Sequence, residues 1–334
     1  MPPAHYHRVR ILVRRVADAL LLFWLVVTVT FVLVRAAPGD AADLLVPPTA
    51  SAADVARIRS EFGLDAPVAE QYVRWVGQVF RGDLGESFSA HQPVATVLAA
   101  ALPVSIWLGS ASLALTFLIG VSVAMWQVRR HHRASDRVAT ALTVAAYASP
   151  SYWVALAVVA VFTYGAAKAG LPEWARLPAF GISDPARLVT GWRSVPDILR
   201  HSILPVFVLT VVGAAGVARY GRSRLLDLAR ADWVRTALAK GVGRRATLQR
   251  HMLANAMPML IVLLGLSLPG IVAGSVFVES VFAWPGLGRA MLTAISARDY
   301  PVVMGATMLY SGVVILANLL ADAMLPLVDP RQRA

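Results

Sequence analysis

The chain is 334 residues long, 57% hydrophobic and only 15% charged, with a mean hydropathy of +0.63. A soluble domain carries roughly a quarter charged residues, so the composition excludes an ordinary soluble protein. The formal net charge of +12 is concentrated in tracts between apolar runs, which fits orientation in a membrane better than nucleic-acid binding, and the absence of cysteine excludes disulfides, thiolate metal sites and a cysteine nucleophile.

Residues 1–15 form a basic tail with Arg8, Arg10, Arg14 and Arg15, followed by Val16–Val34, apolar except for Asp18. Signal-peptide cores are roughly 7–15 residues, whereas this run approaches the ~20 needed to span a bilayer. It reads as an uncleaved first transmembrane helix with its basic side cytoplasmic. Ala36–Ala101 is soluble in character, with an acidic excess that suits the outer side. Short helices are predicted at Ala53–Phe62 and Ala69–Phe80, the second carrying a stripe of Tyr72, Trp75, Val76 and Val79 expected to pack on the membrane domain. Leu102–Trp126 is an uncharged second span. Gln127–Arg137 sets Arg129, Arg130, Arg133 and Arg137 against Asp136 and reads as cytoplasmic; His131-His132 lacks further ligands at metal spacing and reads as surface.

Val138–Ala167 is the predicted third span, kinked by Pro150. Kinks persist in membranes where neighbours or water re-satisfy the backbone, so Ser149-Pro150-Ser151 is a candidate lining of a path. Tyr147, Asn255 and Tyr310 are further polar candidates, equally readable as interhelical contacts. Lys168–His201 falls outside by alternation, although Lys168, Arg176, Arg187, Arg193 and Arg200 outnumber Glu173, Asp184 and Asp197. The fourth span, Ile203–Ala218, is short.

Arg219–Pro258 is a basic island whose bases face only Asp227 and Asp232. Its middle is predicted to be a short amphipathic helix. Trp233, Val234, Ala237, Leu238 and Gly241 share one face, Asp232, Arg235 and Thr236 the other, and Gly241 and Gly243 end it. From the residues alone the island is a cytoplasmic loop, a patch for anionic lipid or nucleic acid, or a helix presented to a soluble partner. Met259–Val278 is the fifth span, with a Gly270/Gly274 pair that permits close helix approach. Glu279–Pro301 lies outside and Val302–Leu325 is the last span. An even number of spans returns Arg331 and Arg333 to the cytoplasm.

The chain lacks a phosphate-binding loop, because its only lysines, Lys168 and Lys240, follow Ala167 and Ala239. The centres of the six predicted spans hold no ionisable residue, unlike proton- or sodium-coupled carriers. No charged filter ring, HExxH or GxSxG occurs. A passive pathway subunit gated by other proteins remains, alongside a non-transporting membrane anchor or adaptor.

DWVRTALAKG followed by RHMLANAMP resembles the cytoplasmic signature loop of ABC-importer permeases, in the oligopeptide/dipeptide (peptide/nickel) transporter family, first-permease or "B-type" subunit. Arg235-Thr236-Ala237 stand where many permeases carry Glu-Ala-Ala, with Gly241 four residues after the alanine. The Glu-to-Arg departure resembles this branch. Pro38-Gly39-Asp40, GLDAPVAEQYVRWVGQVFRGDLGESF, ESVFAWPGLGRAMLTAISARDYP, DYPVVMG and NLLADAMLPLVDPRQR, with Asn318, Asp322 and Asp329-Pro330-Arg331, extend the resemblance over nearly the whole chain.

The resemblance implies an all-α polytopic membrane protein with about six transmembrane helices and the type I ABC-importer permease fold. Its organisation would be a cytoplasmic tail and first helix (1–35), an external segment (36–97), a permease core (98–326) with docking loop 219–258, and a cytoplasmic tail (327–334). Asp232, Trp233, Val234, Arg235, Thr236, Ala237, Lys240 and Gly241 would dock an ATPase. The implied partners are a second permease, two cytoplasmic ATPases that hold ATP and Mg, an external binding protein and membrane lipid, with no nucleic acid and no cofactor in this chain. The chain would be a transport subunit rather than an enzyme, in a bacterial cytoplasmic membrane with both termini cytoplasmic. Peptides are the expected cargo, nickel chelates the alternative.

Overall fold

A computed structural model describes residues 4–36, 65–185, 191–273 and 276–328, with isolated positions between 51 and 60. Among these residues every regular element is helical. Six helices are long and apolar enough to cross a membrane: Val13–Ala36, Val94–Arg129, Ser151–Lys168, Gly191–Ala229, Arg244–Ser267 and Tyr300–Leu320. Short 3-10 turns aside, the elements are α1 (Ala4–Ala36), α2 (Val68–Phe80), α3 (Val94–Arg129), α4 (Ala134–Ala148), α5 (Ser151–Lys168) and α6 (Val195–Ala229). They continue with α7 (Asp232–Ala239), α8 (Arg244–Ser267), α9 (Gly270–Ala273), α10 (Val276–Val281), α11 (Leu287–Ser296) and α12 (Tyr300–Val328). Most of the helix expected at Ala53–Phe62 lies outside the described residues, as do Pro38-Gly39-Asp40, Gly274 and the tail from Asp329, which includes Arg331 and Arg333.

The chain divides into two compact units, Met1–Leu102 with Ala290–Ile315, and Pro103–Arg289 with Leu316–Ala334. In the first, Tyr72 and Trp75 of α2 pack on Phe31 of α1, ring centroids 5.1 and 5.6 Å away. The Tyr72 hydroxyl meets Thr28 Oγ1 at 2.6 Å. The same unit joins two sequence motifs more than two hundred residues apart. Asp299 Oδ2 accepts hydrogen bonds from Ser87 Oγ (2.6 Å), Ser89 N–H (3.0 Å) and Ser89 Oγ (2.7 Å). Its backbone carbonyl meanwhile receives the Val303 N–H in the first turn of α12. Burial alone would push this carboxyl up, but the hydroxyl and amide donors of Ser87 and Ser89 outweigh it and hold the group below the usual carboxylate range.

In the second unit, α5, α6 and α10 enclose a core of Ala155, Val158, Val159, Leu204, Val208, Val278 and Phe282. Glu279 in α10 is fully buried; Ser105 Oγ donates to its Oε1 at 2.8 Å and the Arg289 N–H to its Oε2 at 3.0 Å. This contact accounts for a glycine of the Pro-Gly-Leu-Gly run. A Cβ on Gly286 would sit 2.6 Å from the Glu279 carboxylate, so only glycine lets the turn close over it.

Three predicted spans have different limits. The third, expected at Val138–Ala167 with a kink, is broken into α4 and α5. Proline drives the residue before it to extended geometry, and Ser149 has φ −77° and ψ 128°. The fourth is not short: α6 runs through the basic residues to Ala229, because arginine is a good helix former and its charge does not end a helix. The fifth begins at Arg244 rather than Met259 and stops at Ser267. Pro258 is accommodated inside α8, six residues beyond a π turn at Thr247–Met252, whereas Pro269 and Gly270 lie immediately past its end. Among the described residues of this chain, a Cβ on Gly270 would meet nothing within 4 Å.

The basic excess of the Lys168–His201 segment is partly absorbed by its own backbone. One guanidinium nitrogen of Arg200 donates to the carbonyls of Glu173, Trp174 and Arg176 at 2.8, 3.1 and 2.7 Å, and Arg176 donates to that of Leu171 at 2.6 Å. These two arginines serve as loop staples.

Candidate docking site

The candidate site is α7, an eight-residue helix carried between the ends of α6 and α8. Helix α6 closes with the Arg230 and Ala231 N–H groups on the carbonyls of Asp227 and Leu228. Ala231 turns extended (φ −70°, ψ 144°), and α7 starts with Asp232 in its first turn, where a carboxylate complements the helix dipole. The far end is a Schellman closure. Gly241 N–H bonds to the Leu238 carbonyl (3.0 Å) and Val242 N–H to that of Ala237 (3.1 Å), with Gly241 at φ +83°. Glycine is needed here because the left-handed region costs other residues about 1–2 kcal/mol. Thr247, buried at the start of α8, fixes the exit by donating toward the carbonyls of Val242 and Gly243.

Sequence periodicity grouped Trp233, Val234, Ala237, Leu238 and Gly241 on one face; the structure divides that face. Val234 is buried against Ala124, Leu225, Leu248, Met252 and Ala256, residues of α3, α6 and α8, and Ala237 is half-buried. Trp233 and Leu238 remain 39% and 40% exposed. Asp232, Arg235, Thr236 and Lys240 are also exposed. Arg235 reaches Asp232 at 3.4 Å and Thr236 Oγ1 donates to the Asp232 carbonyl at 3.0 Å. Thus α7 is held by one inward valine and presents an apolar pair inside a charged rim.

A second feature, unread in the sequence as a contact, braces α6 on the way to α7. Arg222 donates from Nε and Nη2 to Asp136 Oδ1 and Oδ2 at 3.1 and 2.8 Å, a fork-to-carboxylate pair. The Asp136 side chain is 3% exposed, and His131 Nδ1 lies 3.4 Å from the same Oδ2. The Arg222 guanidinium beside Asp136 holds its carboxyl below the usual carboxylate range. The available signal was Asp136 itself, the lone acid in a tract of bases. The His131 and His132 rings lie 3.8 Å apart and tilted by 37°, and among the described residues no group of three or more His, Asp or Glu side chains could hold a metal.

The candidate path residues are not joined to one another by any hydrogen bond among the described residues. The Arg219 guanidinium lies 4.4 Å from the Tyr147 ring centroid. Ser149, just past α4, donates to the carbonyl of Ala145, and Asn255 to that of His251 within α8. Pro150 is the N-cap of α5, and Tyr310 stands exposed on α12.

The family described as "Binding-protein-dependent transport system inner membrane component" matches residues 116–334, and its N-terminal companion, described as "Binding-prot-dependent transport system membrane comp, N-term", matches residues 8–109. The chain belongs to this family of binding-protein-dependent transport components. It is therefore a multi-pass membrane subunit of a transport system, as the signature loop implied. Among similar proteins, a putative peptide permease protein of Brucella ovis is 36% identical over 304 residues, covering 90% of this chain and 92% of that protein. The oligopeptide transport system permease protein AppB of Bacillus subtilis is 33% identical over 321 residues, covering 96% and 98%. The probable D,D-dipeptide transport system permease protein DdpB of Escherichia coli is 34% identical over 317 residues, covering 92% of each.

Proposed function

We propose that this binding-protein-dependent transport component is the first permease of an ATP-driven peptide importer, forming the translocation path with a second permease. The observation that carries the reading is α7, a capped helix anchored by Val234 to three long helices while Trp233 and Leu238 stay uncovered. Such a helix suits the groove of a soluble partner. Relatives named as peptide, oligopeptide and D,D-dipeptide permeases support peptide as the cargo class, and they do not favour nickel chelates or a non-transporting anchor.

In this reading two cytoplasmic ATPases bind ATP and Mg and receive α7 through Asp232, Trp233, Arg235, Thr236, Leu238 and Lys240, with Ala237 and Gly241 setting its shape. An external binding protein delivers cargo from the opposite side. Both termini are cytoplasmic, as the basic residues near α1 and along α7 and α8 favour. Closure of the ATPase pair moves α7, and the continuous α6 carries that displacement between inward- and outward-facing arrangements.

The test is ATP-dependent uptake by the reconstituted complex, with a labelled mixed peptide pool and a nickel chelate as competing cargo. Peptide uptake that is lost on substituting Ala237 or Gly241 is expected. Nickel uptake alone would overturn the cargo, and an assembled complex that hydrolyses ATP and moves neither would overturn the transport reading.

A further inference from the structure

Helix α2 belongs to the segment that composition marked as soluble, yet its contacts do not stop at the outer end of α1. Tyr72 touches both Phe31 and Trp24, with ring centroids 5.1 and 6.1 Å away, and Phe80 stacks on Trp24 at 6.4 Å. Trp24 lies near the middle of the apolar stretch Val13–Ala36. Ala36 lies twelve helical steps further on, about 18 Å along the axis, which is more than half of a hydrocarbon core of ~30 Å. A helix that touches α1 at Phe31 and again at Trp24 lies alongside the membrane-crossing stretch.

The apolar arc of α2 is also wider than α1 covers. At 100° per residue, Trp75, Val79 and Tyr72 lie on one half of the arc, and Val76, Ala69, Phe80 and Val73 on the other. Ala69 is exposed, as are Val73 at 69% and Phe80 at 79%. The opposite side carries Glu70 and Arg74, paired with each other at 2.9 Å, together with Gln71, Gln78 and Arg81. Beside Trp24, on which Phe80 stacks, α1 itself carries bare apolar residues: Leu21 and Leu25 are 67% and 55% exposed. On a membrane-crossing helix such a surface faces acyl chains.

We propose that α2 is embedded in the leaflet at the Ala36 end of α1, with Ala69, Val73 and Phe80 against lipid acyl chains and the Glu70–Arg74 side turned away from them. With its apolar and charged residues on separate sides, α2 can turn the first to acyl chains while keeping the second away from them. Aromatic residues at Phe31, Tyr72 and Trp75 rivet it to α1, so the external segment is tethered to the bilayer beside the first span. This assignment is independent of cargo and of the ATPase contact.

The chain contains no cysteine, so single labels can be placed without background. Ala69→Cys, Val73→Cys and Arg74→Cys, with Leu21→Cys as the acyl-chain reference, would each carry a nitroxide in the full chain, assembled with its partner subunits in phosphatidylethanolamine/phosphatidylglycerol nanodiscs. Collision with oxygen and with a water-soluble nickel chelate is then read by electron paramagnetic resonance. Labels at 69 and 73 should match the Leu21 reference, with oxygen access high and nickel collision lost relative to the label at 74. Nickel access at 69 and 73 equal to that at 74 would overturn the proposal, placing the stripe in water. Loss of both oxygen and nickel access would also overturn it, because a protein surface would then cover the stripe. All four labelled residues are exposed in the structure, and unchanged Trp fluorescence of each variant checks that the fold is retained.

Discussion

Arg222 grips both carboxylate oxygens of Asp136, at 3.1 and 2.8 Å, and so fastens the first turn of α4 to the part of α6 that leads into α7. Removing the arginine leaves a buried carboxylate whose best donor is gone. Arg222→Ala should therefore destabilise the chain by about 1–3 kcal/mol. Asp136→Asn should cost less, since an amide oxygen still accepts. Thermal unfolding followed by Trp fluorescence in detergent measures both.

The same pair gives a pH dependence with a defined sign. The folded-state pKa of Asp136 is depressed, chiefly by its hydrogen bond to Arg222. Its stabilising contribution is then fully present above the unfolded value of about 3.9 and is lost as pH falls through the folded value below it. The stability gap between the parent and Arg222→Ala should be flat from pH 5 to 8 and shrink below about pH 4. A gap that already shrinks well above pH 5 would show that Asp136 is not the group responsible.

Asp299 ties Ser87 and Ser89 to the start of α12. Ser87→Ala combined with Ser89→Ala removes two hydroxyl donors from a buried carboxylate and should cost about 1–3 kcal/mol. The effect should be local, seen as faster protease cleavage within residues 81–93 with little change in global unfolding temperature. Uniform acceleration along the chain would show that this link holds more than its loop.

Much of the fold was legible because membrane spans are set by length and apolarity alone. Six spans and an all-helical chain follow from runs such as Leu102–Trp126. The limits of those spans were less legible, for two physical reasons. Charge marks where a helix leaves the membrane without marking where it ends, which is why α6 continues through Arg219 and Arg222 to Ala229. Proline has effects that depend on its neighbours: Pro150 breaks a helix and Pro258 sits inside one. At the candidate site, periodicity located α7 and its terminating glycine. It could not separate Val234 from Trp233, because that division is made by Leu225, Leu248 and Met252 from elsewhere in the chain.

Gly241 isolates the role of the α7 closure. A Cβ there would meet nothing within 4 Å, so the cost of substitution is conformational. Gly241→Ala should cost about 1 kcal/mol, and Gly241→Asn less, because asparagine tolerates the left-handed region. If the closure shapes the docking helix, ATP-dependent uptake should fall in the same order, with Asn above Ala. Equal uptake in all three chains would detach this geometry from coupling.

The division of the apolar face of α7 yields the sharpest contrast. Val234→Ala removes two buried methyl groups and should cost about 1.6 kcal/mol, with any loss of transport following the loss of stability. Trp233→Ala and Leu238→Ala act at half-exposed side chains with no core role, so unfolding should move by no more than about 0.5 kcal/mol. If these two residues enter a groove on the ATPase, their removal should nevertheless weaken copurification of the ATPase and reduce ATP-dependent uptake. The discriminating measurement is the pair of readouts on each variant, thermal unfolding of the isolated chain and retention of the ATPase after affinity purification. Normal retention by Trp233→Ala and Leu238→Ala together would mean that the exposed pair is not the docking contact. Failure of all three variants in unfolding and retention alike would mean that α7 acts only as a packing element between α6 and α8.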